Sequence, residues 1–260
     1  MNLKIYQVDA FTRQRFGGNP AAVVPLDEWL PDVTLQNIAS ENNLAETAFF
    51  VKSKSGFHLR WFTPENEVDL CGHATVAAAF VLYHYEKYTG NEIAFESKSG
   101  MLKVKKEGDL FTLDFPAYKI TPAEATNDVV AAIGKIPVEV MQMNNDLMLV
   151  YHDRVTLEMI KPDFSKLKQC LARAVLITAP AEDTDFVYRF FAPKMGIDED
   201  PATGSAQCSL VPYWSRRLGK STLHSVQLSR RKGELKGVLK GERVEISGNA
   251  VIYLTGEITV

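Results

Sequence analysis

The chain consists mainly of short segments in which apolar and polar residues alternate, a pattern typical of half-buried β-strands. The strands predicted in this way are Leu3–Val8, Thr47–Val51, Phe57–Phe62, Glu92–Phe95, Leu102–Val104, Leu110–Phe115 and several short strands between Ser225 and Val260. Helical spacing of apolar residues is rarer and predicts helices at Val33–Ser40, Thr121–Ile133 and Asp163–Leu171. The pattern therefore favours a strand-rich α+β protein.

Two longer segments are more apolar than the rest of the chain. The segment from Gly72 reads GHATVAAAFVLYHYEKY and is apolar on all sides, which predicts a helix enclosed by other structure. The segment from Gly204 reads GSAQCSLVPYWSRRLG, and Pro212 within it predicts a bend or an interruption. No apolar run reaches the ~18 residues needed to span a bilayer.

The sequence before each of these segments is repeated. Phe57–Pro64 reads FHLRWFTP and Phe186–Pro193 reads FVYRFFAP, which agree at four of eight positions. An acidic stretch and then an apolar helix that begins at a glycine follow each copy. We therefore predict two similar modules, residues 1–118 and 119–260, each a sheet wrapped on a buried helix, with a ligand site in the cleft between them.

Composition restricts the partners of this protein. Its 260 residues, 46% hydrophobic and 23% charged, are those of an ordinary globular protein with a large core. The net charge of −3 gives no reason to expect nucleic acid or an anionic membrane as a partner. Cys71, Cys170 and Cys208 are far apart, which disfavours disulfides and a zinc site. Because the N-terminal segment lacks a signal peptide's apolar core, we expect a cytoplasmic protein.

Backbone N–H groups at the start of the two apolar helices are candidate ligands for an anion. The first N–H groups of a helix have no intrahelical acceptor and carry partial positive charge, so a carboxylate binds there readily. Gly72–His73 and Gly204–Ser205 occupy these positions. On spacing alone, the simpler interpretation that His73 and Ser205 only cap their helices is favoured.

Glu46 and Cys71 are the candidate groups for proton transfer. In a strand, Glu46 shares one face with Ala48 and Phe50, and desolvation there raises a carboxyl pKa toward the range that suits an acid/base group. The pattern by itself favours a strand-end glutamate whose carboxylate reaches water. Cys71 directly precedes Gly72, where a helix N-terminus lowers the pKa of a thiol. The interpretation of Cys71 as a small buried residue in a turn has equal weight.

Two turn residues have roles that the pattern leaves open. Asp200 in EDPATGSA and Asn19 in FGGNPAAVV either hydrogen-bond a ligand or stabilise their own turns. No phosphate-binding glycine motif is present, so nucleotide binding has no support. Five scattered histidines predict no metal site.

Four motifs, in this order, together resemble those of the phenazine-biosynthesis PhzF-like family: VDAFTRQRFGGNPAAVV, NLAETAFF, RWFTPENEVDLCGHAT and EDPATGSA. They span Val8 to Ala206, and the glycine-punctuated strands after Ser225 also suit the family. The resemblance implies the diaminopimelate-epimerase-like fold, in which two similar halves each roll a mixed sheet around a central helix. It also implies an active site between those halves.

The resemblance further implies roles for individual residues. The family's essential acid/base glutamate corresponds to Glu46, its CGHAT histidine to His73 and its DPATGS aspartate to Asp200. Substrate-binding groups are implied at Asn19, Gly72, Thr203, Gly204 and Ser205. The implied chemistry is isomerisation of a cyclic dihydro-hydroxyanthranilate by a proton shift, without metal or organic cofactor.

We therefore expect a cofactor-independent isomerase that acts on a small carboxylate. Two other classes stay open: an amino- or hydroxy-acid racemase or epimerase that uses Cys71 with Glu46, and a non-catalytic binding protein. The related racemases have a thiol at each helix opening, and the second opening here, Asp200–Ser205, has none. Strand-rich edges also favour a homodimer.

Overall fold

Strands rich in aromatic and β-branched residues form most of the regular secondary structure in the computed structural model, which describes all 260 residues. The chain divides into two units, residues 1–114 with 247–260 and residues 115–246. The last strand, β18 (Ala250–Thr259), pairs antiparallel with β1 (Asn2–Ala10) and so belongs to the first unit. The observed division differs from the predicted one at residue 118, because the C-terminal segment pairs with β1 and so belongs to the first unit.

The first unit places one helix, α2 (Gly72–His84), against a mixed sheet. The other elements from residue 19 to its boundary are β2 (Asn19–Leu26), α1 (Asp32–Asn42), β3 (Glu46–Ser53), β4 (Gly56–Phe62), β5 (Glu67–Val68), β6 (Glu92–Ser97), β7 (Gly100–Glu107) and β8 (Leu110–Pro116). Helix α1 packs on the other side of the strands, where Leu35 and Ile38 contact a core that includes Phe49.

Helix α2 confirms the prediction of an enclosed helix. Every residue from His73 to Leu82 is buried, and the helix packs against β1, β2 and β3. Four of its residues are alanine, which lets the helix approach the sheet backbone closely. Its burial fixes where its first residues lie, and those residues carry the candidate chemistry.

The second unit has three short helices and a second apolar helix. Its elements are β9 (Thr121–Pro122), α3 (Asn127–Ile133), β10 (Glu139–Met143), β11 (Asp146–Val150), α4 (Arg154–Met159), α5 (Phe164–Leu167), β12 (Val175–Pro180), β13 (Phe186–Ala192), β14 (Ile197–Glu199), α6 (Gln207–Leu218), β15 (Thr222–Gln227), β16 (Gly233–Lys240) and β17 (Arg243–Gly248). Single 3₁₀ turns lie at Pro193–Met195 and Gly204–Ala206. No helix of either unit is long and apolar enough to cross a membrane.

The two units repeat one pattern of strand pairing. In the first, β2–β3 is parallel, β3–β4 antiparallel, β4–β6 parallel and β6–β7 antiparallel. In the second, β11–β12 is parallel, β12–β13 antiparallel, β13–β15 parallel and β15–β16 antiparallel. The short strand β5 pairs with β4, and the short strand β14 pairs with β13, which is the equivalent of β4 in the second unit. The topology therefore supports the prediction of two similar modules.

The repeat extends to a bidentate ion pair. Arg60 Nε and Nη2 lie 2.7 and 3.0 Å from the two carboxylate oxygens of Glu67, and Arg189 Nε and Nη2 lie 2.8 and 3.0 Å from those of Glu199. Each guanidinium also lies about 5 Å from the phenylalanine two residues later in its strand. The planar fork of arginine matches a carboxylate, so both pairs tie a short strand to a long one.

Of the two effects predicted for Pro212, a bend or an interruption, the interruption does not occur in helix α6. A proline removes the N–H that would bond to the carbonyl four residues earlier, here that of Cys208. The backbone N–H of Tyr118 donates to this carbonyl at 2.8 Å instead. The helix therefore continues from Gln207 to Leu218 with that carbonyl satisfied.

Two other helix predictions were too long. Thr121 and Pro122 pair with β10 as a short strand, and the helix begins only at Asn127, with Gly134 after its last residue in a left-handed conformation. The helix predicted at Asp163–Leu171 is reduced to the four residues of α5. Strands β10 to β12 and helix α4 were not predicted. Strands β11 and β12 contribute buried residues to one core, and α4 adds only Leu157 to it, so none of these elements shows a long amphipathic pattern.

We expect Glu67→Gln to lower the free energy of unfolding by about 1–3 kcal/mol, because the guanidinium of Arg60 loses a charged, bidentate partner. Denaturant unfolding of both proteins measures the difference. Glu65→Gln, at an exposed position two residues earlier, is the matched control and should change the stability little.

The stability difference between wild type and Glu67→Gln should depend on pH. Hydrogen bonds from Arg60 lower the pKa of Glu67 from 4.5 to about 2. A lowered folded-state pKa contributes stability above pH 4.5 that is lost as the pH falls toward 2. An unchanged difference between pH 6 and pH 2, roughly spanning that range, would contradict the assigned ion pair.

Candidate active site

In the first unit, the structure brings together Glu46, Cys71 and His73. Glu46 is the first residue of β3, and Cys71 and His73 flank Gly72 at the start of α2. Nε2 of His73 lies 3.1 Å from Oε2 of Glu46, and Nδ1 of His73 lies 3.5 Å from Sγ of Cys71. The side chains of Glu46 and His73 are only 14% and 9% exposed. Residues that are distant in the sequence thus form one buried polar cluster.

Cys71 is held in a fixed conformation at the helix opening. Its backbone is extended, and its carbonyl accepts hydrogen bonds from the backbone N–H and the hydroxyl of Thr75, at 3.1 and 2.6 Å. Cys71 is the N-cap residue and makes no side-chain capping bond of regular geometry, although its thiol interacts with the backbone N–H of Ala74. His73 lies within the first turn of the helix, after Gly72. The prediction that His73 caps α2 is therefore wrong.

The electrostatics of Glu46 differ from the sequence expectation. Burial raises the pKa of Glu46, but the charge and hydrogen bonding of His73 outweigh that effect and lower the pKa below its usual range. Burial likewise lowers the pKa of His73, whereas Cys71 and Glu46 raise it, and the net result lies well above the usual value. The pair is accordingly a carboxylate beside an imidazolium at neutral pH.

Cys71 also differs from its expectation. Burial raises the pKa of its thiol, and the negative charge of Glu46 raises it further. These effects exceed the opposing influence of His73, so the thiol is neutral at pH 7. Burial of this sulfur thus outweighs the lowering effect that a helix N-terminus has on a thiol pKa.

Asn19 begins the strand next to that of Glu46. Ala21 in β2 pairs with Glu46 in β3, and the two strands are parallel. The turn before Asn19 needs Gly18, whose φ is +58° and where an added Cβ would lie 2.0 Å from the carbonyl oxygen of Ala10. Asp9, which sequence reasoning missed, accepts the backbone N–H of Phe16 at 2.8 Å and so stabilises the same turn.

In the second unit, Asp200 and Thr203 form a hydrogen-bonded turn ahead of α6. The hydroxyl of Thr203 donates to a carboxylate oxygen of Asp200, so part of the Asp200 side chain is engaged within the turn. Gly204 is buried and Ser205 is exposed, and both belong to the 3₁₀ turn that precedes the helix. The predicted helix opening at Gly204 is therefore three residues of 3₁₀ structure, with α-helix only from Gln207.

Gln227 fixes this turn and was not predicted. Its amide oxygen accepts the N–H of Thr203 at 2.6 Å, and its amide nitrogen donates to the carbonyl of Asp200 at 2.5 Å. Both groups of its fully buried side chain thus bond to the backbone of the predicted site. Nothing in the local pattern of strand β15 reveals such contacts, because the partners lie more than twenty residues away.

The profile of the family described as Phenazine biosynthesis-like protein (PhzC-PhzF) matches residues 8–256. The chain belongs to this PhzF family. It is 48% identical over 258 residues to "Uncharacterized isomerase PA2770" of Pseudomonas aeruginosa, with 99% of each chain covered. A PhzF-family phenazine biosynthesis protein of Enterococcus faecalis matches in structure with a TM-score of 0.97 and 45% identity, over 100% of both chains.

The PhzF-family assignment also confirms the fold and the class of enzyme. A hydroxyproline epimerase from Agrobacterium vitis, with bound trans-4-OH-L-proline, shares the fold at a TM-score of 0.62 and 10% identity, over 99% of this chain and 92% of that one. This agrees with the predicted diaminopimelate-epimerase-like α+β fold. Three bacterial relatives at 41% to 48% identity are named isomerases, and this chain is an isomerase of their family.

We expect the imidazole of His73 to titrate well above pH 6.5, and Glu46→Gln to lower its pKa because the stabilising negative charge is removed. NMR of the ring nitrogens against pH measures both values, and His73→Gln assigns the resonance. A His73 pKa that is unaffected by Glu46→Gln would contradict the ion pair.

We expect Gln227→Leu to increase hydrogen exchange of the Thr203 backbone amide by about tenfold, because that N–H loses its buried acceptor. The amide of Tyr151, bonded to the Thr178 carbonyl in the same unit, is the internal control. Equal acceleration of both amides would indicate global destabilisation and contradict the local role.

Proposed function

We propose that this PhzF-family isomerase moves a proton between two atoms of a small carboxylate substrate, with Glu46 as the acid/base and without an organic cofactor. The observation that carries the proposal is the 3.1 Å contact between the Glu46 carboxylate and the His73 ring, in a buried position at the start of a helix. A carboxylate kept ionised beside a cation is ready to accept a proton.

The proposed reaction has two proton transfers and no net change in composition. Glu46 takes a proton from a carbon of the substrate, so that a C–H bond breaks and a carboxylic O–H forms. The electron pair enters the conjugated system of the substrate, and Glu46 then returns the proton to a different atom of that system. One positioned acid/base accelerates such a step by about 10²- to 10⁴-fold.

His73 supports both steps electrostatically. Its imidazolium lies against Glu46. A nearby cation in a partly desolvated site stabilises the negative charge that develops on the substrate. When Glu46 becomes protonated, the same imidazolium favours the return of the proton by restoring the ion pair. The ring therefore acts in both directions without changing its own protonation state.

The substrate carboxylate is proposed to bind backbone N–H groups at the opening of α2, at Gly72 and His73, where an anion is stabilised by the partial positive charge of the helix N-terminus. In the same unit, Asn19 is proposed to bind a polar substituent of the substrate. The substrate-binding roles of Asp200, Thr203, Gly204 and Ser205 in the second unit stay predictions.

Cys71 is proposed to position His73 instead of acting as a base. Its thiol is neutral, since burial raises its pKa, and its Sγ lies 3.5 Å from Nδ1 of the ring. A racemase mechanism that needs a Cys71 thiolate is disfavoured on this ground. The thiol instead contributes to the orientation that presents Nε2 to Glu46.

Proton exchange in D₂O tests the proposal. Wild type, Glu46→Gln, Cys71→Ser and the control Glu41→Gln, at an exposed position, are incubated with a panel of small cyclic and amino carboxylates that includes dihydro-hydroxyanthranilate. NMR follows the loss of each C–H signal and the appearance of isomers.

We expect Glu46→Gln to lower exchange by at least about 100-fold, Cys71→Ser by less than about tenfold, and Glu41→Gln to have no effect. Circular dichroism establishes that each variant is folded. Wild-type turnover by a folded Glu46→Gln protein would contradict the proposal. Complete loss in Cys71→Ser with residual activity in Glu46→Gln would favour thiol chemistry.

A further inference from the structure

The cluster in the first unit contains three different donor types that one cation could share. A carboxylate oxygen of Glu46, the sulfur of Cys71 and a ring nitrogen of His73 all lie within 4.8 Å of one another. Sequence reasoning excluded a metal site because the cysteines and histidines are not spaced as zinc ligands. The fold creates the cluster by placing the start of β3 beside the start of α2.

We propose that Glu46, Cys71 and His73 form a binding site for Zn²⁺, and that Zn²⁺ bound there reversibly blocks the enzyme. The inhibitory part of this inference rests on the proposed function of Glu46. The binding part depends only on the geometry of the three side chains.

The observed distances suit a tetrahedral zinc ion. Zinc bonds of about 2.0–2.3 Å to nitrogen, oxygen and sulfur place neighbouring ligands about 3.3–3.6 Å apart. In the structure, Nε2 of His73 lies 3.1 Å from Oε2 of Glu46 and 4.0 Å from Sγ of Cys71. The third separation, between the Glu46 carboxylate and Sγ of Cys71, is within 4.8 Å, so side-chain shifts of up to about an ångström admit the ion.

A second observation concerns the free lone pair of Glu46. Its Oε2 is buried, and its 3.1 Å contact with His73 is an ion pair without regular hydrogen-bond geometry, so this oxygen keeps a lone pair that no donor points at squarely. A buried carboxylate oxygen that lacks a full set of hydrogen bonds can gain one strong interaction from a cation. The ion takes the place that a donor would otherwise occupy.

The ligands are held on rigid elements. The Cys71 carbonyl is bonded twice to Thr75, His73 lies in the first turn of a buried helix, and Glu46 belongs to a strand that packs against that helix. Such support reduces the cost of ordering the ligands. It also limits the set to three protein ligands and leaves a fourth position for water, as in accessible zinc sites.

The donor set selects the metal. Thiolate and imidazole ligands favour Zn²⁺ and other borderline or soft cations, whereas Mg²⁺ and Ca²⁺ require oxygen ligands. On binding, a Zn–S bond replaces the S–H bond of Cys71, a Zn–N bond replaces the Nε2–H bond of the His73 imidazolium, and two protons are released to solvent. The Glu46 lone pair then bonds to the metal and cannot accept a proton from carbon.

Cobalt(II) absorption and zinc calorimetry test the site under reducing conditions. Co²⁺ bound by a thiolate gives a charge-transfer band in the near ultraviolet, and titration of wild type should give one such site per chain. Cys208→Ser, which removes a buried thiol of the second unit, is the matched control and should keep the band. Cys71→Ser should lose it.

Zinc affinity should fall by at least about 100-fold in Cys71→Ser, more than the loss of an outer-shell partner causes. His73→Gln serves as a second variant if Cys71→Ser is unstable. Retention of the band in folded Cys71→Ser, or its absence in wild type, would overturn the inference, as would equal affinities for Mg²⁺ and Zn²⁺.

Inhibition of proton exchange by Zn²⁺, reversed by a chelator, separates the two proposals. In one outcome, zinc binds but neither the metal nor Glu46→Gln affects proton exchange. That outcome supports the zinc site and contradicts the catalytic role of Glu46. Glu46-dependent exchange without zinc binding contradicts the site alone. Binding with full inhibition supports both.

Discussion

Helix α2 has no polar face, and this constraint organises the first unit. Because residues from His73 to Leu82 are all buried, the strands β1, β2 and β3 have to cover the helix, and its ends have to lie at the ends of those strands. The first turn therefore reaches the start of β3, where Glu46 lies. Burial of apolar surface thus determines the position of the polar cluster.

The cluster balances two opposing electrostatic effects. Burial disfavours both the carboxylate of Glu46 and the imidazolium of His73, yet their contact makes the charged pair the stable form. The same negative charge keeps the thiol of Cys71 protonated. One contact thus assigns a protonation state to all three groups, which is why neither the glutamate nor the thiol behaves as it would alone.

The two units share one pattern of strand pairing but differ in their polar groups. The paired arginine and glutamate, Arg60 with Glu67 and Arg189 with Glu199, occupy equivalent places and hold equivalent strands. At the helix openings the units diverge. The first unit has the cluster with Cys71 and His73. The second has a turn at Asp200, whose backbone carbonyl accepts a hydrogen bond from the side chain of Gln227.

The strand-rich composition, the internal repeat, the enclosed helix and the family were all evident from the sequence, because each depends on local periodicity or on contiguous motifs. The candidate site residues were named by motif, but their protonation states were not, since these depend on distances between residues remote in the chain. Pro212 and Gln227 show the same limit, because the partners that decide their effects, Tyr118 and Thr203, belong to other elements. The sequence by itself therefore determined the family and the candidate groups for the chemistry, and the tertiary structure decided their charge and their contacts, because electrostatic and hydrogen-bond energies depend on proximity and burial.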